Sequence, residues 1–234
     1  MRNTTKATLK YAFIKSLPVM AGYLLIGIGF GILMHSKGLS LIWTAAMSVF
    51  VFAGSMQYIA VDLISGGATL IATALMTLAV NARHLVYGIS MIGKYKDTGR
   101  YKPYLIFALT DETYSIACDT EVPESIGKNK FYFLLSLFNQ LYWVIGSLLG
   151  SAIGNILPFS TAGIDFSMTA LFLVVFINQW RASKKHFNSY LGVIASIACL
   201  LIFGADSFII PSMIVIVSAL CLYNLLSKKE VKHE

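Results

Sequence analysis

The chain is poor in charge: Asp, Glu, Lys and Arg make up 12% of its 234 residues, against about 25% in an ordinary soluble domain. With 57% hydrophobic residues and a mean hydropathy of +0.73, this excludes a water-soluble globule and indicates an integral membrane protein. Long polar segments are equally scarce, which leaves no room for a folded soluble catalytic domain. Cysteine is rare as well. Cys118, Cys199 and Cys221 are odd in number and lie in or beside apolar runs, so neither a disulfide framework nor a zinc site is indicated and they read as small packing residues. There is no phosphate-cradling glycine loop with its lysine, no metal-spaced His/Cys set and no Ser/His/Asp grouping, so no metal, cofactor or enzymatic activity is expected. Acidic residues are the scarcer charge, 11 against 18 basic. The resulting net charge of +7 does not point to nucleic acid, because the basic residues sit in short loops between apolar runs.

What is abundant is apolar sequence in windows of roughly 20 residues, the length a spanning helix needs. These are Tyr11 to Leu33, Ile42 to Ile64, Ala68 to Ile92, Phe131 to Leu157 and Ser207 to Leu226, with shorter runs at Phe166 to Trp180 and Tyr190 to Phe203. The basic, then apolar N-terminus superficially resembles a signal peptide. Lys15 interrupts the run, however, and the apolar stretch continues to Leu33 without a small-residue cleavage site, which reads as an uncleaved first helix. The fold class expected is an all-α polytopic membrane protein of about 6 to 8 transmembrane or broken helices, forming one domain over residues 1–234 of the cytoplasmic membrane.

Basic clusters fall at Arg2, Lys6, Lys10 and Lys15, at Lys94, Lys96, Arg100 and Lys102, at Arg181, Lys184 and Lys185, and at Lys228, Lys229 and Lys232. The positive-inside rule places all four, and with them both termini, in the cytoplasm. Three simple crossings before Lys94 would put its loop outside. Ile42 to Ile64, interrupted by the Gly54, Ser55 and Gln57 of FAGSMQY, is therefore expected to be broken or re-entrant. The same reasoning applies to Tyr104 to Cys118, short and carrying Asp111 and Glu112 at its middle. A faint repeat supports pairing the two: Gln57 to Asp62 resembles Tyr114 to Asp119 at an offset of 57, and the Asn81 to Gly88 spacing recurs at Asn139 to Gly146 at an offset of 58. Transporters built from inverted repeats carry interrupted helices at corresponding positions, and those interruptions mark the substrate site.

Arg83 and His84 stand within the apolar run Ala68 to Ile92. An arginine there costs about 2.5 to 3.5 kcal/mol on insertion scales, so it requires a partner, water or a ligand. On a helix Thr73, Thr77, Asn81, His84 and Gly88 would share one face, and Arg83 would point elsewhere. Arg83 can hold a carboxylate ligand or pair with Asp62, Asp111 or Glu112, and His84 can relay protons or simply pack. Adjacent acids repel, so one of Asp111 and Glu112 can retain a proton. Gly54 and Ser55 are helix-break candidates that also suit close packing, whereas Gln57 offers an amide to a ligand. Gly146, Gly150 and Gly154 read as a packing ridge. Tyr142 and Trp143 are interfacial anchors or cavity walls, and Asn178, Gln179 and Trp180 are interface residues. These features suit a transporter, a passive channel whose polar stripe lines water, or, less well, an intramembrane hydrolase for which no nucleophile is apparent.

With Phe52-Ala-Gly-Ser-Met-Gln-Tyr58, Asn81-Ala-Arg-His-Leu-Val-Tyr-Gly88, Thr110-Asp-Glu-Thr-Tyr114 and Asn139-Gln-Leu-Tyr-Trp143 in this order, the sequence resembles the AzlC family of branched-chain amino acid exporters along essentially its whole length. Tyr58 stands where many members have phenylalanine. The resemblance implies a large permease subunit that works with a small AzlD-type membrane partner. It implies export of valine, leucine or isoleucine, in some members methionine or azaleucine, driven by the proton motive force. Substrate-binding or coupling candidates are then Gln57, Asn81, Arg83, His84, Asp111, Glu112, Tyr114 and Asn139.

Overall fold

The computed structural model describes residues 2–156, 173, 176, 177, 180, 181, 186–204 and 208–230, and no strand occurs among them. The run expected over Phe166 to Trp180 lies mostly outside the described residues, as do Asn178, Gln179, Lys184, Lys185, Ser207 and Lys232. By its contacts the chain divides into two compact units, Met1–Leu171 and Phe172–Glu234. The first contains α1 (Arg2–Ser36), α2 (Leu41–Ala46) continuing into a π-helical turn (Met47–Val51), α3 (Gly54–Ser65), α4 (Leu70–Asn81), α5 (Arg83–Tyr95), a 3-10 turn (Gly99–Tyr101), α6 (Lys102–Phe107), α7 (Asp111–Asp119) and α8 (Lys128–Ile156). The second contains α9 (Phe187–Phe203) and α10 (Ile209–Glu230). Phe187 at the start of α9 packs against Tyr223 near the end of α10, so these two run antiparallel.

Among the described residues only α1 and α8 are each long and apolar enough to cross a bilayer alone. They lie parallel: Gly127 bonds Thr8, Tyr11 packs on Phe131, Ser16 meets Tyr142, and Gly154 faces His35. The expected ridge of Gly146, Gly150 and Gly154 is present and is met by a second one, Gly27 and Gly31 of α1. A Cβ on Gly31 or Gly150 would collide with the opposite backbone, so only glycine lets these helices approach so closely.

Two hairpins enter this pair from opposite ends. α2 starts at the distal end, where Leu41 shares a cleft with His35 and Asn155, and the π turn reaches the middle of α8, where Gln140 Nε2 donates to Val49 O at 3.0 Å. The chain reverses at Phe52, whose φ of 42° lies in the left-handed region that large side chains rarely adopt. α3 then leaves from Trp143, passes Ile26, whose carbonyl accepts the Tyr58 hydroxyl at 2.6 Å, and returns to the distal end, where Asp62 pairs with Lys37 at 3.4 Å. The second hairpin starts at the other end, with Tyr101 on Phe133. It reaches the middle where Tyr104 Oη donates to Gln140 Oε1 at 2.7 Å, breaks over residues 108–110, and returns as α7 to Lys94.

The starts of corresponding elements are offset by 58, 57 and 58 residues: Leu41 and Gly99, Gly54 and Asp111, Leu70 and Lys128. Corresponding elements run in opposite directions, so the faint sequence repeat marks an inverted one. Both hairpins return to the end they came from. The Lys94 to Lys102 loop consequently lies beside the N-terminal end of α1, through Asn129 to Asp97 O and Lys130 to Thr5.

One expectation is altered. Ala68 to Ile92 is not a continuous helix: α4 and α5 meet at Ala82 with a bend of 46°. The Thr73 to Gly88 stripe is split there. Thr73 and Thr77 turn their hydroxyls onto the carbonyls four residues back.

Candidate functional site

The breaks in the two hairpins and the bend at Ala82 bring three helix N-termini to the middle of the α1 and α8 pair, a region of positive backbone potential. Arg83 opens α5. Its Nη1 lies 2.6 Å from Asp111 Oδ2, and its Nη2 donates to Ser55 Oγ at 2.8 Å. One guanidinium therefore ties the first turn of α3 to the first turn of α7. Of the three acids available to it by sequence, Asp111 is the partner, while Asp62 is taken by Lys37.

Glu112 is differently placed. Its carboxylate accepts the hydroxyl of Tyr23 from α1, and Tyr23 Oη is also 2.7 Å from Thr110 Oγ1. The chain of contacts continues from Thr110 Oγ1 to Thr113 Oγ1 at 3.0 Å and then to Asn139 Nδ2 of α8 at 2.9 Å. Thr110 also caps α7 by accepting Thr113 N–H at 3.3 Å, and the two acids occupy the first turn where the helix dipole favours them. At the other end Lys94 Nζ donates to the carbonyls of Ala117 and Cys118. α5 thus grips α7 at both ends, with Tyr87 stacked on Tyr114 at 4.6 Å between them.

On the first hairpin, Gln57 Oε1 accepts the Ala53 N–H at 3.1 Å, satisfying a donor freed by the break. Its Nε2 is buried and finds no partner among the described residues. The same is true of Asn139 Oδ1, Trp143 Nε1, Arg83 Nε and Asp111 Oδ1. Buried polar atoms are nearly always paired, so five such atoms on side chains around one junction require explanation. Trp143 is buried, so it is not an interfacial anchor, and it packs with Phe30 and Tyr23, the latter also touching Phe52. Gly54 lies against its indole, where a Cβ would stand 3.4 Å from Cη2. The packing reading therefore fits Gly54, whereas Ser55 has a polar partner.

Not every candidate gathers here. His84 Nδ1 lies 3.2 Å from Asn81 O at the bend. With Gly88, Tyr95 and Lys102, His84 lines a separate, mainly apolar cavity of about 330 Å³. Tyr114 joins the stack beside the site, and Asn81 ends α4 with its carbonyl engaged by His84. Tyr23, Tyr87, Thr110, Thr113 and Lys94 had no site role by sequence. Thr113 lay inside the Thr-Asp-Glu-Thr motif and could have been found through its spacing from Thr110. Tyr23 is one aromatic among many in an apolar run, and Lys94 reads as a topology charge; neither carried a distinguishing signal.

Fold and site define a helical membrane protein with an ion pair and unsatisfied polar groups at the meeting of interrupted helices. The family described as AzlC protein matches residues 18–157. The chain is 45% identical over 231 residues to the branched-chain amino acid transport protein AzlC of Bacillus subtilis, covering 98% of this chain and 91% of that protein. It is 37% identical over 215 residues to an uncharacterized membrane protein of Helicobacter pylori, covering 92% and 94%. With the inner membrane protein YgaZ of Escherichia coli it shares 25% over 177 residues, covering 73% and 72%. No solved structure matches. The chain belongs to the AzlC family.

Proposed function

We propose that this protein is a secondary transporter subunit that exports branched-chain amino acids across the cytoplasmic membrane, driven by the proton gradient, together with a small AzlD-type subunit. Its N-terminus and the Lys94 to Lys102 loop face the cytoplasm by the positive-inside rule. The observation that carries the reading is the set of unpartnered atoms around Arg83 and Asp111. A dipolar amino acid needs donors for its carboxylate and acceptors for its ammonium. Arg83 Nε, Gln57 Nε2 and Trp143 Nε1 are donors, and Asp111 Oδ1 and Asn139 Oδ1 are acceptors. The Trp143, Phe30 and Phe52 surfaces suit an aliphatic side chain, as apolar pockets with few placed polar groups do. The Arg83 to Asp111 pair keeps the empty site neutral, and substrate exchanges for it at both charges.

Proteoliposomes containing this chain and its small partner, loaded with labelled valine or leucine, test the reading. Saturable efflux that accelerates when a proton gradient is imposed is expected. Unsaturable flux indifferent to the gradient would indicate a channel, and chemically altered product an enzyme; either result overturns it.

A further inference from the structure

The two adjacent acids differ in the hydrogen-bonding character of their partners. Asp111 faces the guanidinium of Arg83, which only donates, so a proton placed on the paired oxygen would point at other protons. Glu112 faces a row of hydroxyls, each able to donate or accept: Tyr23, Thr110 and Thr113, ending on the Asn139 amide. Hydroxyl hydrogens and amide orientations follow the network they sit in. In the structure Tyr23 donates to Thr110 and Thr110 to Thr113; with Glu112 ionised these hydroxyls turn, so that Asn139 Nδ2 donates to Thr113, Thr113 to Thr110, Thr110 to Tyr23, and Tyr23 to the carboxylate. With Glu112 protonated, the row reverses. The acid donates to Tyr23, Tyr23 to Thr110, Thr110 to Thr113, and Thr113 to an Asn139 amide turned over to present its oxygen. Both states use the same row of atoms, and only hydroxyl rotation and the turn of the Asn139 amide separate them.

The ends of the row are what matter. Asn139 is fully buried, and its Oδ1 has no partner among the described residues. In the ionised state that oxygen is free to accept a substrate ammonium. In the protonated state the amide presents Nδ2–H₂ instead, which repels one.

Resting on the transport reading above, we propose that Glu112 is the proton-binding site and that the Tyr23, Thr110, Thr113 and Asn139 row converts its protonation into loss of an ammonium acceptor. Proton and amino acid thereby exclude each other. One proton is taken up on the Glu112 carboxylate as the amino acid leaves, and that proton is released before the next amino acid binds, which is antiport. Among the described residues, the ionisable groups facing Glu112 are Tyr23 of α1, Arg83 and Tyr87 of α5, and Asp111 beside it on α7. Arg83 and Asp111 compensate each other, Tyr87 also hydrogen-bonds Asp111, and Tyr23 belongs to the row.

The test measures equilibrium binding of labelled leucine to the purified two-subunit complex across pH. Displacement of one proton per amino acid gives a limiting change of about tenfold in Kd per pH unit. This slope is expected in the parent, absent in Glu112→Gln, and flattened in Thr113→Val and Tyr23→Phe, which interrupt the row but keep the carboxylate. A full slope in Glu112→Gln or in Thr113→Val would overturn the proposal. Infrared difference spectra between acid and alkaline buffer supply a readout independent of transport. A carboxylic-acid band is expected in the parent, perturbed in Tyr23→Phe and missing in Glu112→Gln; its absence from the parent would overturn the proton site. A parent that binds no branched-chain amino acid yet shows that band would overturn the transport reading and the coupling, leaving the proton site supported.

Discussion

The first hairpin turns on neutral groups and the second on charged ones. Ala53 at the head of α3 is satisfied by the amide of Gln57, and the helix is held by packing of Gly54 on Trp143 and of Tyr58 on Phe30. α7 has acids on its first turn, Lys94 on its last carbonyls and a guanidinium at its head. The acids and Lys94 are favourable against the helix dipole, whereas the guanidinium, a cation at a positive helix end, is held there by Asp111. An inverted repeat supplies the same frame twice, at offsets of 57 and 58 residues. Under the proposed transport reading, unequal furnishing of the two copies lets a nearly symmetric junction recognise a molecule with a positive and a negative end. Arg83, bonded to Ser55 on one hairpin and Asp111 on the other, is the link between the copies.

The largest effect is expected at that link. Arg83→Gln leaves Asp111 without its cation, and removing one partner of a buried pair costs about 3 to 5 kcal/mol, here toward the lower figure because both side chains are partly exposed. Transport in proteoliposomes should be lost. Adding Asp111→Asn should restore thermal stability in detergent without restoring transport. Full transport by the single variant would place Arg83 outside the site.

A smaller effect is expected at Gln140, which holds both hairpins through Val49 O and Tyr104 Oη. Gln140→Leu removes two hydrogen bonds and should cost about 1 to 3 kcal/mol. Hydrogen exchange should rise in the arms of both hairpins, over residues 47–51 and 102–107. A rise in one arm alone would show that the hairpins are anchored separately. The least effect is expected from Lys94→Met, which removes a cation at the end of α7 worth about 0.3 to 1 kcal/mol. Exchange should increase at the end of α7 and not at the end of α3, where Lys37 pairs with the Asp62 side chain.

The two hairpin breaks were legible because glycine, serine, glutamine and paired acids stand out in apolar sequence, and because the basic loops demanded an even number of crossings. The repeat was legible from a handful of matched positions. The bend at Ala82 was not, since Asn81-Ala-Arg-His continues a helix as readily as it interrupts one. What decides it is tertiary: Arg83 must reach Ser55 and Asp111 together. The hydroxyl row was equally hidden, because Tyr23 and Thr110 are 87 residues apart and become neighbours only through the packing of α1 against α7.

The two hairpins enter from opposite ends and return to them, and cysteine labelling reads this most directly. In a variant lacking Cys118, Cys199 and Cys221, single cysteines are placed at Ser65, at the end of the first hairpin, and at Glu121, just after the second. A membrane-impermeant maleimide applied to intact cells should modify the cysteine of Ser65→Cys, and should modify that of Glu121→Cys only after the membrane is opened. Modification of both from the same side would contradict the inverted arrangement and the shared site built upon it.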